Sequence, residues 1–514
     1  MKTIFSLLLI SWAGISETLQ APVMTDRAAA RFLDQATWGP TAASIASLGH
    51  MGIGRWLAEQ FAATPSNLPD QPLLASDGKS NNDLTPVQAA FFRNAVTGQD
   101  QLRQRVAFIL SQLWVVSQES VHPAYAFPPY WRIFRDNAFG SYKDIIRAVT
   151  LSPAMGTYLN MANNNKANAA KGTAANENYA RELMQLFTLG LTELNPDGSP
   201  VLDANHNPVP TYNQAVVTNM AKVLTGWTYP TAPNTTAKTN NPAYYFGPMF
   251  AVEVEHDTTA KTVFNNVTVP AGQTAEQDLE TLLSALMAQP TMAPFISKQL
   301  IQHMVTSNPS AGYVGRVAQV FAKTNGDMKS IITAILTDTE ARAADDPSAP
   351  VNAASGHLRE PILFLPNLVR GLNGTVTSTN SLNSYANELG QELFNAPSVF
   401  SYFSPQNRIA GGLLGPEFQI YSTQTASDRA NVINTALYGA LDKTTALNLA
   451  SFAAKAGKVD DLLTYIGYVF LHGGMSSSLQ QAAADAANAA ATPTAKAQAA
   501  LYVVLTSSEY QVVQ

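Results

Sequence analysis

One stretch limits the fold more than any other. Residues 101–118, QLRQRVAFILSQLWVVSQ, read as a helix that is apolar on nearly every side after Val106. A helix hydrophobic all round is stable only when other elements surround it. The chain must therefore supply a shell of helices, and the remaining sequence reads that way. TDRAAARFLDQATWG predicts a helix capped by Thr25 or Asp26 and ended by Gly39. TAASIASLGHMGIGRWLAEQFA predicts two short helices broken by glycines, and SYKDIIRAVTLSPAMGTYLN another, stopped near Ser152 and Pro153. NQAVVTNMAKVLTGWT, AEQDLETLLSALMAQ, MAPFISKQLIQHMVTS, AGYVGRVAQVFAKT and DMKSIITAILTD continue the series, mostly at helical spacing. The C-terminal Ala-rich stretch reads as two helices split at Pro493, since alanine has the best helix propensity.

Between them lie turn-forming segments at 62–83, 192–213, 228–270 and 343–356. Residues 397–421 form a Pro/Gly/aromatic segment expected to lie across the body. KTVFNNVTVPAG, from Lys261, is the one hairpin candidate. No repeat of 20–50 residues is found. The expectation is a mainly α protein. It is a large multi-helical single body over residues 25–514, with long irregular loops and at most a small β-hairpin.

Charged residues make up 13% of the 514-residue chain, about half the usual 25% or so, so disorder through self-repulsion is not expected. A net charge of −6 with no long basic block argues against a nucleic-acid partner. The chain has no cysteine, which excludes disulfides and thiolate metal sites and is compatible with an oxidising compartment. Residues 1–21, MKTIFSLLLISWAGISETLQA, place Lys2 before an apolar run and a polar stretch, the layout of a secretory signal. Ala21 could precede the cut, but Leu19 leaves its position open. The run is shorter than the ~20 residues a spanning helix needs. The mature chain is expected to be soluble, and periplasmic or secreted.

The chemistry-bearing candidates cluster in two passages. In NENYARELMQLFTLGL, residues 176–191, Tyr179, Leu183, Leu186 and Phe187 form one apolar stripe. Glu182 falls at the edge of that stripe. A carboxylate half-sunk among leucines resists ionising, and a raised pKa suits a general acid. The alternative is pairing with a buried arginine, such as Arg103, Arg105 or Arg181. Asn176 is a candidate helix cap. Asn178, Tyr179 and Arg181 are candidate substrate contacts; the plainer roles are a salt bridge for Arg181 and packing for Tyr179. In EHDTTAK, His256 beside Asp257 could be a base held in one tautomer, with Lys261 binding an anionic substrate. The plainer reading is a turn in which Asp257 accepts backbone amides. Glu182 and Asp257 are the candidate pair of carboxylates for cleaving a sugar bond.

His303 and His357 sit in apolar contexts and read as core groups, and His472 ends a helix. Asp203, Asn205 and Asn207 alternate as oxygen ligands of the kind calcium takes, but lack an EF-hand's central glycine and closing glutamate. No HExxH, GxSxG or phosphate-loop pattern occurs, and neither a metal nor a cofactor is expected.

ARFLDQATWGPT, NENYARELMQLFTLG with MAKVLTGWT, and HDTTAK followed by APFISKQLIQHMVTSNPS resemble, in that order, the DUF1800 family. GQELFNAPSVFSYFSP and TSSEYQ resemble its closing segments, so the likeness runs from about residue 27 to the C-terminus. The resemblance implies a largely helical, exported or cell-surface protein, and no general activity. It also implies a neighbour, since the family is often encoded beside DUF1501, an exported family similar to sulfatase-like enzymes. Some relatives carry FWHNHF where this chain has FILSQLWVVS, so a metal site built on those histidines fails here. Two functions stay open. One is an exported enzyme acting on an extracellular polysaccharide or cell-surface glycan by acid/base chemistry. The other is a non-catalytic scaffold or partner of a DUF1501-type protein, docking through loops 192–213 and 228–262.

Overall fold

The computed structural model describes residues 24–264, 267–349, 352 and 354–513. The leader reading of residues 1–21 lies outside the described residues. The fold is mainly α, with 22 α-helices among the described residues. The stretch that demanded a shell has one. Helix Gln101–Leu113 buries Leu102, Val106, Ala107, Phe108, Ile109 and Leu110, each at most 1% exposed. One contiguous core runs from Ala29 to Tyr510. A small satellite core of Val115, Ala396, Tyr402 and Phe403 forms where the aromatic segment crosses the body.

Helix boundaries follow local chemistry. Thr25 caps helix Asp26–Ala36 by accepting the Ala28 amide at 3.2 Å. The glycine-broken pair is one helical stretch, Ala42–Ala62, kinked at Gly52, whose φ of 75° no helix interior holds. Pro493 opens helix Pro493–Thr506 at a position where its missing N–H costs nothing. The helix that begins at Asn178 changes character after Glu182: residues Leu183–Thr188 form a π-helix. Its wider turn is held by the Leu189 amide on the Met184 carbonyl at 2.9 Å and by the Thr188 hydroxyl on the Leu183 carbonyl at 2.6 Å. The indole of Trp114, at the end of the central helix, stacks on Phe187 at 4.5 Å.

The expected hairpin exists: Lys261–Thr262 pairs antiparallel with Thr268–Val269. Three further two-residue ladders join Trp227–Thr228 to Phe250–Ala251, His357–Leu358 to Val512–Val513, and Thr375–Val376 to Thr445–Ala446. A two-residue strand has no alternation to read, so these were invisible in the sequence. Among the described residues no helix is long and apolar enough to cross a membrane.

Candidate functional site

The candidate groups of the two passages do not bond to one another, although Asn176 of the first and Glu255 of the second line the same cleft. Glu182 shares no hydrogen bond or ion pair with His256, Asp257 or Lys261 among the described residues. The pairings imagined within each passage are also replaced by others, and each replacement has a physical reason.

Around Glu182, the arginines are committed elsewhere. Arg181 binds Glu177 and Gln214, each at 3.2 Å. Arg103 donates to the Arg135 and Phe61 carbonyls, and Arg105 to the His303 carbonyl at 2.9 Å. Among the described residues Glu182 therefore has no salt bridge, and its Oε2 is buried without a hydrogen-bond partner. Burial raises its pKa above the ordinary carboxylate value, opposed by the charge of Arg181. Tyr158 and Tyr212 are its polar neighbours, close enough that its charge adds to burial in raising their pKa. Tyr179 is buried, and its hydroxyl meets that of Thr150 at 2.7 Å, inside the body. The amide of Asn178 donates to Asn160 at 3.1 Å, while its backbone N–H donates to Asn176 at 2.9 Å.

Those two asparagines line an open polar cleft of about 810 Å³. Its wall holds six asparagines between residues 160 and 176, together with Tyr229, Asn240 and Glu255. Asn164 closes the loop on itself, accepting the Asn176 amide at 2.7 Å and donating to its carbonyl at 3.1 Å. Asn160 and Asn163 adopt left-handed φ of 60° and 59°, which asparagine tolerates better than most side chains. Asn165, Lys166, Asn240 and Glu255 line the same cleft with no side-chain partner among the described residues. Sequence reasoning passed over this wall. The signal was the asparagine run itself, far denser than a turn requires.

In the second passage, His256 and Lys261 are sealed, each at most 2% exposed. Both meet a residue not singled out from the sequence: Asp278, on helix Ala275–Met287. His256 Nε2 lies 3.1 Å and Lys261 Nζ 2.5 Å from the same Asp278 Oδ2. Lys261 also donates to the Asp257 carbonyl. The Asp257 carboxylate turns away and accepts the Thr259 amide at 2.9 Å and hydroxyl at 2.5 Å. The expected His256–Asp257 pair is thus corrected to His256–Asp278, because the period of the turn points the two neighbours apart. The Asp203 oxygen likewise accepts the Asn205 and Asn207 amides, the geometry of an ordinary turn.

A third concentration of charge lies at the centre. Asp34 accepts Arg359 through both guanidinium nitrogens at 2.7 and 3.0 Å, Asn367 at 3.0 Å, and His472 at 3.0 Å. Burial pushes its carboxyl up, but Arg359 and His472 outweigh burial and hold it well below the usual range. Nearby, Gln112 and Gln391 donate to Glu360, whose carboxyl burial raises. Burial lowers Arg105 to about 10. Gln112 continues into a narrow cleft with Gln299, His303, Phe400 and Glu417, of about 60 Å³. His303 is pushed down to about 3 by burial, with Arg105 and His357 adding to it. Among the described residues, no group of three His, Cys, Asp or Glu side chains is placed to hold a metal ion.

The fold and these sites define a class: a large mainly α body with a buried charged interior and an open polar cleft walled by amides. Within that class the chain belongs to the DUF1800 family, described as a protein of unknown function, whose model matches residues 31–512. No curated protein and no solved structure matches it.

Proposed function

We propose that the protein is exported and binds a polysaccharide or cell-surface glycan in the asparagine-lined cleft, with Glu182 as a proton donor at its margin. The observation that carries this reading is the pairing of free amides with a lone carboxyl. Unpartnered Asn165 and Asn240 offer donors and acceptors suited to sugar hydroxyls. Glu182 lies one helical turn beyond Asn178, which is tied to two residues of the cleft wall. Its carboxyl is raised by burial and has no cation bonded to it, as a general acid requires. The leader-like segment 1–21 supports export.

The test is a panel of soluble polysaccharides measured by affinity electrophoresis and reducing-end release. Wild type is expected to bind, Asn165→Ala with Asn240→Ala to bind weakly, and Glu182→Gln to bind but release no product. Equal behaviour of all three proteins across the panel overturns the reading.

A second reading is favoured by a specific feature. Leu191, Leu202 and Val254 are exposed at 61%, 48% and 66% on or beside the two loops expected to dock. Apolar side chains presented on loop tips suit a protein partner, here a DUF1501-type exported protein. Co-purification that depends on Leu202 and Val254, with no glycan binding, would select this reading over the first.

A further inference from the structure

Residues His256, Lys261 and Asp278 leave an unusual problem of proton bookkeeping. His256 Nδ1 lies 2.9 Å from the Thr225 carbonyl. It also lies 3.4 Å from the Thr225 hydroxyl, whose hydrogen is given to the Lys222 carbonyl at 2.7 Å. Nδ1 faces acceptors only and must carry a hydrogen. Nε2 faces Asp278 Oδ2, so a proton lies between Nε2 and Oδ2. The same Oδ2 also meets the Lys261 amine at 2.5 Å, while Asp278 Oδ1 is buried with no partner. The side chains of all three residues are 0% exposed. The amine is thus sealed against the carboxyl, and the imidazole against the same oxygen.

We propose that Lys261 and Asp278 join in an intramolecular isopeptide bond, with His256 as the proton carrier. Once the Lys261 amine has passed a proton to Oδ2, its Nζ lone pair attacks the Asp278 side-chain carbonyl carbon, and the C–N bond forms. The C–Oδ2 bond then breaks. Oδ2 leaves as water, taking one proton from the Oδ2–Nε2 hydrogen bond and one from the attacking amine through His256 Nε2. One amide and one water replace one amine and one acid. Nothing is oxidised or reduced, and no co-reactant is required. Burial serves the reaction by excluding the water that would reverse it. Three elements hold the groups together. The hairpin strand Lys261–Thr262 carries the amine, helix Ala275–Met287 the acid, and the end of the short helix Glu253–Glu255 the histidine, packed against Gly226. Gly226 has φ +86°, and a Cβ there would lie 3.0 Å from the His256 backbone, so only glycine allows the approach. The bond would staple two segments 17 residues apart in a chain that has no cysteine to do so.

Peptide mapping of the full-length folded protein, digested with trypsin after denaturation, tests the proposal. The expected result is near-complete loss of cleavage after Lys261 and a branched peptide joining Lys261 to Asp278, lighter than its two parts by one water. Lys261→Met and Asp278→Ala are expected to abolish the branch, and His256→Phe to reduce the joined fraction severalfold. Normal cleavage after Lys261 in the wild-type protein overturns the proposal. So does loss of water on a linear peptide, which would mark a succinimide. Because the wild-type map decides, failure of a variant to fold leaves the outcome intact.

Discussion

Asp34 and Glu182 are both carboxylates carried into the body on helices, and the protein treats them in opposite ways. Asp34 is given four hydrogen bonds from three residues more than 300 positions away. Glu182 is given none, and one of its oxygens is buried bare. Under the proposed function, the difference separates a structural carboxylate from a working one. A satisfied buried charge fixes which segments meet, here the first helix, helix Pro361–Gly371 and the end of helix Val459–Phe470. An unsatisfied one costs stability that packing does not repay, and the proposed function gives that cost a reason at Glu182.

The largest test of the contrast is removal of the charge at each site. Asp34→Asn strands the buried guanidinium of Arg359 and should cost roughly 3–5 kcal/mol. That is a large share of the ~5–15 kcal/mol typical of a folded domain. A urea unfolding midpoint checks it, and a loss below about 1 kcal/mol would reduce Asp34 to an ordinary polar residue. Glu182→Gln breaks no bond within the protein and should change stability by less than about 0.5 kcal/mol. Its effect should appear in function instead, as a loss of turnover of roughly 100-fold or more. If Glu182→Gln proves as damaging to folding as Asp34→Asn, the distinction fails.

Acid sharpens the same comparison. The Asp34 carboxyl is depressed, so its contribution is complete above the ordinary value of 3.8 and is lost as pH falls below it. The Glu182 carboxyl is raised, so the folded state is relatively favoured below the ordinary 4.5, and that advantage fades as pH rises through the folded value. Unfolding free energy measured against pH should therefore fall steeply in acid for wild type and more gently for Asp34→Asn. Glu182→Gln should leave the acid limb as steep as in wild type. Identical acid limbs for wild type and Asp34→Asn would contradict the assignment.

The same contrast explains what could be read in the sequence. Features set within a few residues were legible: the Thr25 cap, the kink at Gly52, the break at Pro493 and the all-round burial after Val106. So was the half-buried setting of Glu182, which follows from helical spacing on one element. Partners across long separations were not. Asp278 sits in AEQDLETLL, where an acid in the first turn needs no explanation beyond the helix dipole. Asp34 meets Arg359 and His472 only after the whole chain has folded. The asparagine wall was in plain view, but its residues become a cleft only when Tyr229 and Asn240 close the other side.

The smallest expected effect probes the electrostatics of Glu182 most directly. Arg181 is the one cation whose charge opposes burial at Glu182, yet its hydrogen bonds go to Glu177 and Gln214. Its pair with Glu177, at 3.2 Å, leaves the two side chains 40% and 31% exposed. A pair of that kind contributes no more than about 0.5 kcal/mol, so Arg181→Gln should barely move the unfolding midpoint. The Glu182 carboxyl should nonetheless titrate higher, because burial then acts unopposed. Carbon-13 spectra of the side-chain carboxyl across pH can read that shift without any substrate. An upward shift would mean that Glu182 is tuned from a distance by a residue that does not bond to it. An unmoved titration would mean that burial alone sets the proton, and that Arg181 serves only the surface.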